Sequence, residues 1–150
     1  MVDDPLKYLD PFAACGFKRF LGHVEKMKDI DEFVARGQLL GEVGLALDST
    51  TSVDDIKISL EDLDCLLIMG AKAGHSGEDF LPEVLEKIKI LKQKTTIPIE
   101  IDGGINDKII ADIKNAGADR FVVTSNLFSK QDPQLAYETL NGLIKSRLSS

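Results

Sequence analysis

Between Asp64 and Gly70 the chain reads Cys65-Leu66-Leu67-Ile68-Met69, five apolar residues without a break. A strand with one wet face alternates apolar and polar residues. An unbroken run needs cover on both faces, which is the habit of a strand inside a parallel sheet. Parallel neighbours cannot be joined by tight hairpins, so each pair needs a long crossover, usually helical. The run therefore predicts an α/β chain in which short strands alternate with helices.

The rest of the sequence follows that rhythm. Pro5 to Ala14 predicts a first helix. Pro5 suits its opening position, where no amide is needed. Leu6, Leu9, Phe12 and Ala13 recur at helical spacing, and Gly16 stops it. Phe17 to Val24 predicts a strand, Ile30 to Gln38 a helix, and Val43 to Leu47 a strand. Val53 to Leu60 predicts a helix capped by Ser52 or Thr51. After Cys65 to Met69 comes a glycine-bearing loop, Gly70 to Asp79. Leu81 to Lys92 predicts the clearest helix, with Leu81, Val84, Leu85, Ile88 and Leu91 in one stripe that belongs to the core. Ile97 to Ile101 predicts a strand, Asp107 to Asn115 a helix ending at Gly117, and Phe121 to Val123 a strand core. Ser125 to Phe128 predicts a loop or turn, and Pro133 to Arg147 a closing amphipathic helix. This makes about five strand–helix units in one domain of 150 residues. Either an open doubly wound sheet or part of a closed (β/α)₈ barrel accommodates them. A whole barrel takes at least about 200 residues.

Composition narrows the partners. The net charge of −7 argues against nucleic acid, which needs clustered Lys and Arg. It leaves room for a small phosphorylated ligand held by backbone amides. No apolar run approaches the roughly 20 residues that span a bilayer, and Asp3 and Asp4 replace any basic leader. A cytoplasmic setting is expected. Cys15 and Cys65 form no CxxC motif and are expected to be buried free thiols.

Sites in parallel α/β folds lie beyond the C-terminal strand ends. Here those ends carry His23 and Glu25, Asp48, Met69 to Gly77, Asp102 to Gly104, and Thr124 to Asn126. Gly74-His75-Ser76-Gly77, Gly103-Gly104 and Thr124-Ser125-Asn126 each suit an anion. Each acid or histidine also has a plainer role in packing or capping, and Asp102 could simply cap the next helix. Alternation along Ile99-Glu100-Ile101-Asp102 puts both carboxylates on one face and both isoleucines on the helix side. Asp102 would then stand at the rim, as a base for a carbon acid or as a metal ligand. Lys72, just past a strand, could form a Schiff base, the basis of a lyase or aldolase reading.

Taken together, Gly44-Leu45-Ala46-Leu47, Leu67-Ile68-Met69, Gly74 to Pro82, Ile101 to Asn106, Ala116 to Asp119 and Ser125 to Phe128 resemble ribulose-phosphate 3-epimerase in order and spacing. The resemblance implies a partial TIM (β/α)₈ barrel of the ribulose-phosphate-binding type. It implies interconversion of D-ribulose 5-phosphate and D-xylulose 5-phosphate in the pentose phosphate pathway. Two opposed aspartates would exchange the C3 proton through an enediolate, assisted by a divalent metal (Zn, Mn, Fe or Co). On this resemblance Asp102 is both acid/base and metal ligand. Gly74, His75, Ser76 and Gly77 form the loop that closes over substrate. Gly103, Gly104, Thr124 and Ser125 take the phosphate, and Met69 lies near the reacting carbons. Three positions depart from the pattern: Thr124 and Ser76 stand for glycines, and Ala73 for a proline.

Met1-Val2 followed by Asp4-Pro5 resembles the tail of the family's His-Leu-Met-Val segment, beyond its third strand. On that alignment the first three strands are expected to be absent. Two histidines and the second aspartate would be absent with them, so the chain alone is expected to be inactive. An interrupted barrel has open edges, so a homo-oligomer or a complementing half is expected. The alternative is a non-catalytic phosphate-binding or assembly module.

Overall fold

The computed structural model describes residues 1–74 and 77–145. Five parallel strands form one sheet: β1 (Arg19–His23), β2 (Glu42–Leu47), β3 (Cys65–Met69), β4 (Ile99–Asp102) and β5 (Arg120–Val122). Their spatial order is their sequence order. That order decides between the two architectures. Right-handed crossovers that always step the same way leave every connection on one face of the sheet. A doubly wound sheet reverses direction at a switch point; this one does not. The sheet is an arc of a barrel.

The helices are α1 (Leu9–Ala14), α2 (Ile30–Gln38), α3 (Val84–Lys94), α4 (Ile110–Ala116), the single turn α5 (Ser125–Phe128), and α6 (Pro133–Lys145). The core lies between them and the sheet. Phe20, Val43, Leu45, Leu66, Ile68, Ile99 and Ile101 meet Phe33, Ile88, Leu91, Ile110 and Ile113 there. Register places Leu21, Gly44 and Cys65 in one row of the opposite face, and His23, Ala46, Leu67 and Glu100 in the next. On that face Arg19 reaches from β1 across β2, donating to the Cys65 sulfur on β3 and to the buried Glu100 carboxylate on β4. The sheet's lower edge is stitched by aspartates one residue ahead of a strand. Asp64 accepts from the Val43 amide at 2.8 Å, and Asp119 from the Ile99 amide at 2.9 Å.

Four expectations need correction. No helix covers Val53 to Leu60; two short 3-10 turns, Val53–Asp55 and Leu60–Asp62, stand there instead. Ser52 does cap the first, in a reciprocal box with Asp55. Ile56, Ile58 and Leu60 then alternate with polar residues and all pack on the core, which a helical period of 3.6 could not arrange. Ser125 to Phe128 is a turn of helix rather than a loop. Cys65 is buried, but Cys15 is exposed where α1 ends; both are free thiols. The first helix opens with a 3-10 turn over Pro5–Tyr8, so its α-helical part starts four residues later than expected; the other elements match to within three residues. Arg147, the expected end of α6, lies outside the described residues. Among those described, no helix is long and apolar enough to cross a membrane.

Candidate active site

β4 ends in a turn that only glycine accommodates. Gly103 has φ +108° and Gly104 φ +69°. A β-carbon on Gly103 would lie 3.0 Å from the Ala71 amide. The two glycines let the loop after β3 lie directly on the β4 turn. Gly70 donates to the Asp102 carbonyl at 2.6 Å and accepts from Leu81 at 2.8 Å. Met69 and Asp102 are register partners.

Above these strand ends opens a cleft of about 360 Å³. Its walls include Met69, Gly74, Gly77, Asp102, Gly103, Gly104, Thr124 and Ser125. Eight of the ten expected site residues are thus brought together. The other two, His75 and Ser76, lie outside the described residues.

Asp102 is not a helix cap. The helix is led in by Asn106 instead, whose carbonyl accepts from Ile110 and whose side chain accepts from the Lys108 amide at 2.9 Å, and its N-cap is Ile109. Among the described residues the Asp102 carboxylate has no hydrogen-bond or ion-pair partner, and it is half-buried. Burial raises its pKa, the nearby Glu100 charge raises it further, and His23 opposes them. His23 is itself held 3.4 Å from Glu25, and both His23 and Asp102 line a second cavity of about 300 Å³. Met1, Val2, Pro5 and Phe12 close that cavity against Leu67 and Met69. The start of the chain therefore covers part of the sheet's inner face.

The raised pKa fixes a sign. The folded chain holds this proton more tightly than the unfolded chain does. Stability is therefore lost as pH rises through the range where Asp102 ionises, and the charge is a cost at neutral pH. Asp102→Asn should melt about 1–2 °C above the parent at pH 7, a small effect because the group is partly solvated. The gap should close as pH falls below about 3.9. A variant less stable than the parent at pH 7, in thermal melts followed by circular dichroism, would show that the carboxylate has an anchoring partner.

Several lining residues escaped sequence reasoning. Ile105 and Val123 flank strand ends, and Met1 reaches the cleft from the N-terminus. Val122 was legible in principle: it pairs with Asp102 and shares its face. Lys72 also lines the cleft. Asp48 and Glu25 do not. Glu25 accepts from the Asp48 amide at 2.8 Å and from the Thr51 hydroxyl, tying down the loop after β2.

Metal binding fails the test of available donors. Among the described residues, no three His, Cys, Asp or Glu side chains are grouped to hold an ion. Glu100 is committed to Arg19, and His23 to Glu25. One carboxylate falls short of the usual three protein ligands of a catalytic site.

An arc of parallel strands in sequence order, with the Asp102 carboxylate and glycine turns at its C-terminal rim, defines a barrel-type α/β protein with its cleft where such proteins place their sites. Comparison with known proteins carries this further. The profile of the Ribulose-phosphate 3 epimerase family matches residues 1–128, and the chain belongs to that family. It is 34% identical over 148 residues to ribulose-phosphate 3-epimerase of Schizosaccharomyces pombe, covering 97% of this chain and 64% of that one. The Aquifex aeolicus enzyme of the same name is 32% identical, covering 99% and 70%. The chain thus spans about two thirds of the length of these relatives. Among solved structures it is similar to a 3-hexulose-6-phosphate synthase, with TM-score 0.67 at 18% identity, covering 95% of this chain and 69% of that one. It is similar also to orotidine 5'-phosphate decarboxylase from Pyrococcus horikoshii, with TM-score 0.66 at 16% identity, covering 96% and 70%. These likenesses show the fold.

Proposed function

We propose that the cleft binds a pentulose 5-phosphate and that Asp102 serves as the proton-transfer group on one face of its C3 carbon. The observation that carries this reading is the half-buried carboxylate of Asp102, without a partner among the described residues, beside the Gly103-Gly104 turn. A base for a carbon acid works best when its pKa moves toward the operating pH, and burial moves Asp102 that way. The backbone of Gly103 and Gly104 and the hydroxyls of Thr124 and Ser125 would take the phosphate. The loop from Gly74 to Gly77 would close over it. Thr124, where the family has glycine, adds a hydroxyl donor at this point. The named relatives support D-ribulose 5-phosphate and D-xylulose 5-phosphate as the pair interconverted.

Epimerisation removes a proton from one face of a carbon and returns one to the other. Asp102 can serve one face. The described lining of the cleft contains no second carboxyl or imidazole group to serve the other. The opposing aspartate and the metal ligands that the family resemblance implies must come from outside this set of residues. The 150-residue chain alone is therefore expected to bind without turning over. The described residues do not fit a metal, and the role of Asp102 rests on none. A cytoplasmic setting is part of this reading, and a rice relative of 30% identity is named a cytoplasmic isoform.

The test is an assay of the purified chain with D-ribulose 5-phosphate, coupled to detection of D-xylulose 5-phosphate, with and without added Mn²⁺ or Zn²⁺. The expected rate is that of buffer in both arms. Metal-dependent turnover that Asp102→Asn abolishes would overturn the claim of inactivity and keep Asp102 in its role. Failure of the chain to bind any sugar phosphate would overturn the reading itself.

A further inference from the structure

Resting on that reading, we infer that Lys72 is the cation that draws the phosphate into the cleft, a role the family resemblance does not assign to this position. Two observations carry it. First, the cleft contains a carboxylate, Asp102, on a chain of net charge −7. An anion entering it meets repulsion from the protein as a whole and from the group it must lie beside. Glycine amides and hydroxyls supply hydrogen bonds but no net charge. Among the described lining residues Lys72 carries the one cationic side chain.

Second, Lys72 is uncommitted. Lys7, Arg19, Lys26, Arg36, Lys89, Lys92 and Lys94 are each paired with a carboxylate. Lys57, Lys87 and Lys114 each donate to backbone carbonyls. Lys72 has no such partner among the described residues and is exposed. It follows Ala71, whose amide packs against Gly103. Its stem therefore starts beside the turn that would carry the phosphate. An ammonium on a flexible stem suits a phosphate that arrives from solvent, since it acts as a point charge and needs no fixed fork.

The test uses the full chain at pH 7.5, titrated calorimetrically with inorganic phosphate and with D-ribulose 5-phosphate at two salt concentrations. Lys72→Met should weaken both ligands about ten-fold and flatten the salt dependence, as expected on losing a charge-assisted contact. Lys72→Arg should stay within about two-fold of the parent. Lys130→Met, on the outer helical layer, should leave binding unchanged. Ser125→Asp, at an exposed lining position, should abolish binding if the cleft is the site. Parent-like affinity and salt dependence in Lys72→Met, with binding lost in Ser125→Asp, would overturn the inference and leave the cleft reading standing. No binding by the parent chain would overturn both.

Discussion

Replacing Lys87 by methionine should destabilise the fold by about 3 kcal/mol while leaving the helix that carries it intact. The Lys87 ammonium, on α3, donates to three backbone carbonyls: Asp48 at 2.9 Å, Ser49 at 2.6 Å and Thr51 at 2.6 Å. Glu25 holds the same loop from the other side through the Asp48 amide and the Thr51 hydroxyl. Burial lowers the pKa of Lys87, against the pull of Asp48 and Glu25. The ammonium persists there because the carbonyls and the two acids replace the water it gave up. Methionine keeps the packing of the stem and removes only the donor. Each orphaned carbonyl costs about 1–3 kcal/mol when water cannot reach it. Water can enter this surface loop, which is why the total should be nearer 3 kcal/mol than the sum. Urea unfolding of parent and variant, read as a change in midpoint at constant slope, measures it. A loss below about 1 kcal/mol would mean that Glu25 alone holds the loop.

Lys87 also shows where sequence reading stops. It sits inside the helix predicted from Leu81 to Lys92, and nothing in its spacing marks it out. Its role depends on a loop about 37 residues earlier folding back over α3. Just beyond that loop, two 3-10 turns stand where the sequence predicts a helix from Val53 to Leu60. Ser52 and the acids after it do signal a helix start, but Ile56, Ile58 and Leu60 alternate, and packing followed the alternation. By contrast, Cys65 to Met69 was legible to the residue, because an unbroken apolar run has few places to go. The face carried by Glu100 and Asp102 was legible too, since strand alternation is a local rule. Strand order was not. Local patterns say that strands are parallel; only long-range pairing says that β1 to β5 follow one another without reversal. The chemistry divides along the same line. Asp102 and its glycines stood out as a motif. That Asp102 has no partner among the described residues, and that Arg19 neutralises Glu100 beside it, required four strands to be laid side by side.

Gly104→Ala should be the most damaging single methyl that can be added near the site, at about 3–4 kcal/mol. Two costs combine. Gly104 has φ +69°, a left-handed conformation that costs an alanine about 1 kcal/mol. The added carbon would also lie 2.5 Å from the Phe80 Cα and 2.8 Å from the Asp79 carbonyl carbon, and closer still to the Phe80 nitrogen. These are backbone atoms, so no rotamer change relieves the overlap. Nor can the loop give way cheaply. Gly70 ties it to Asp102 and Leu81, and the Phe80 ring packs over Gly70. Gly77→Ala separates the two costs. Gly77 also has positive φ, at +84°, but nothing among the described residues lies within 4 Å of its added carbon. That variant should lose only about 1 kcal/mol. Equal losses in the two variants, measured by urea unfolding, would mean that the close approach of the loop to the β4 turn carries no energy. If instead Gly104→Ala pays the larger cost, its loop must shift away from Asp102, taking Ala71 and Lys72 with it. Phosphate affinity should then fall in Gly104→Ala, under conditions where the variant remains folded.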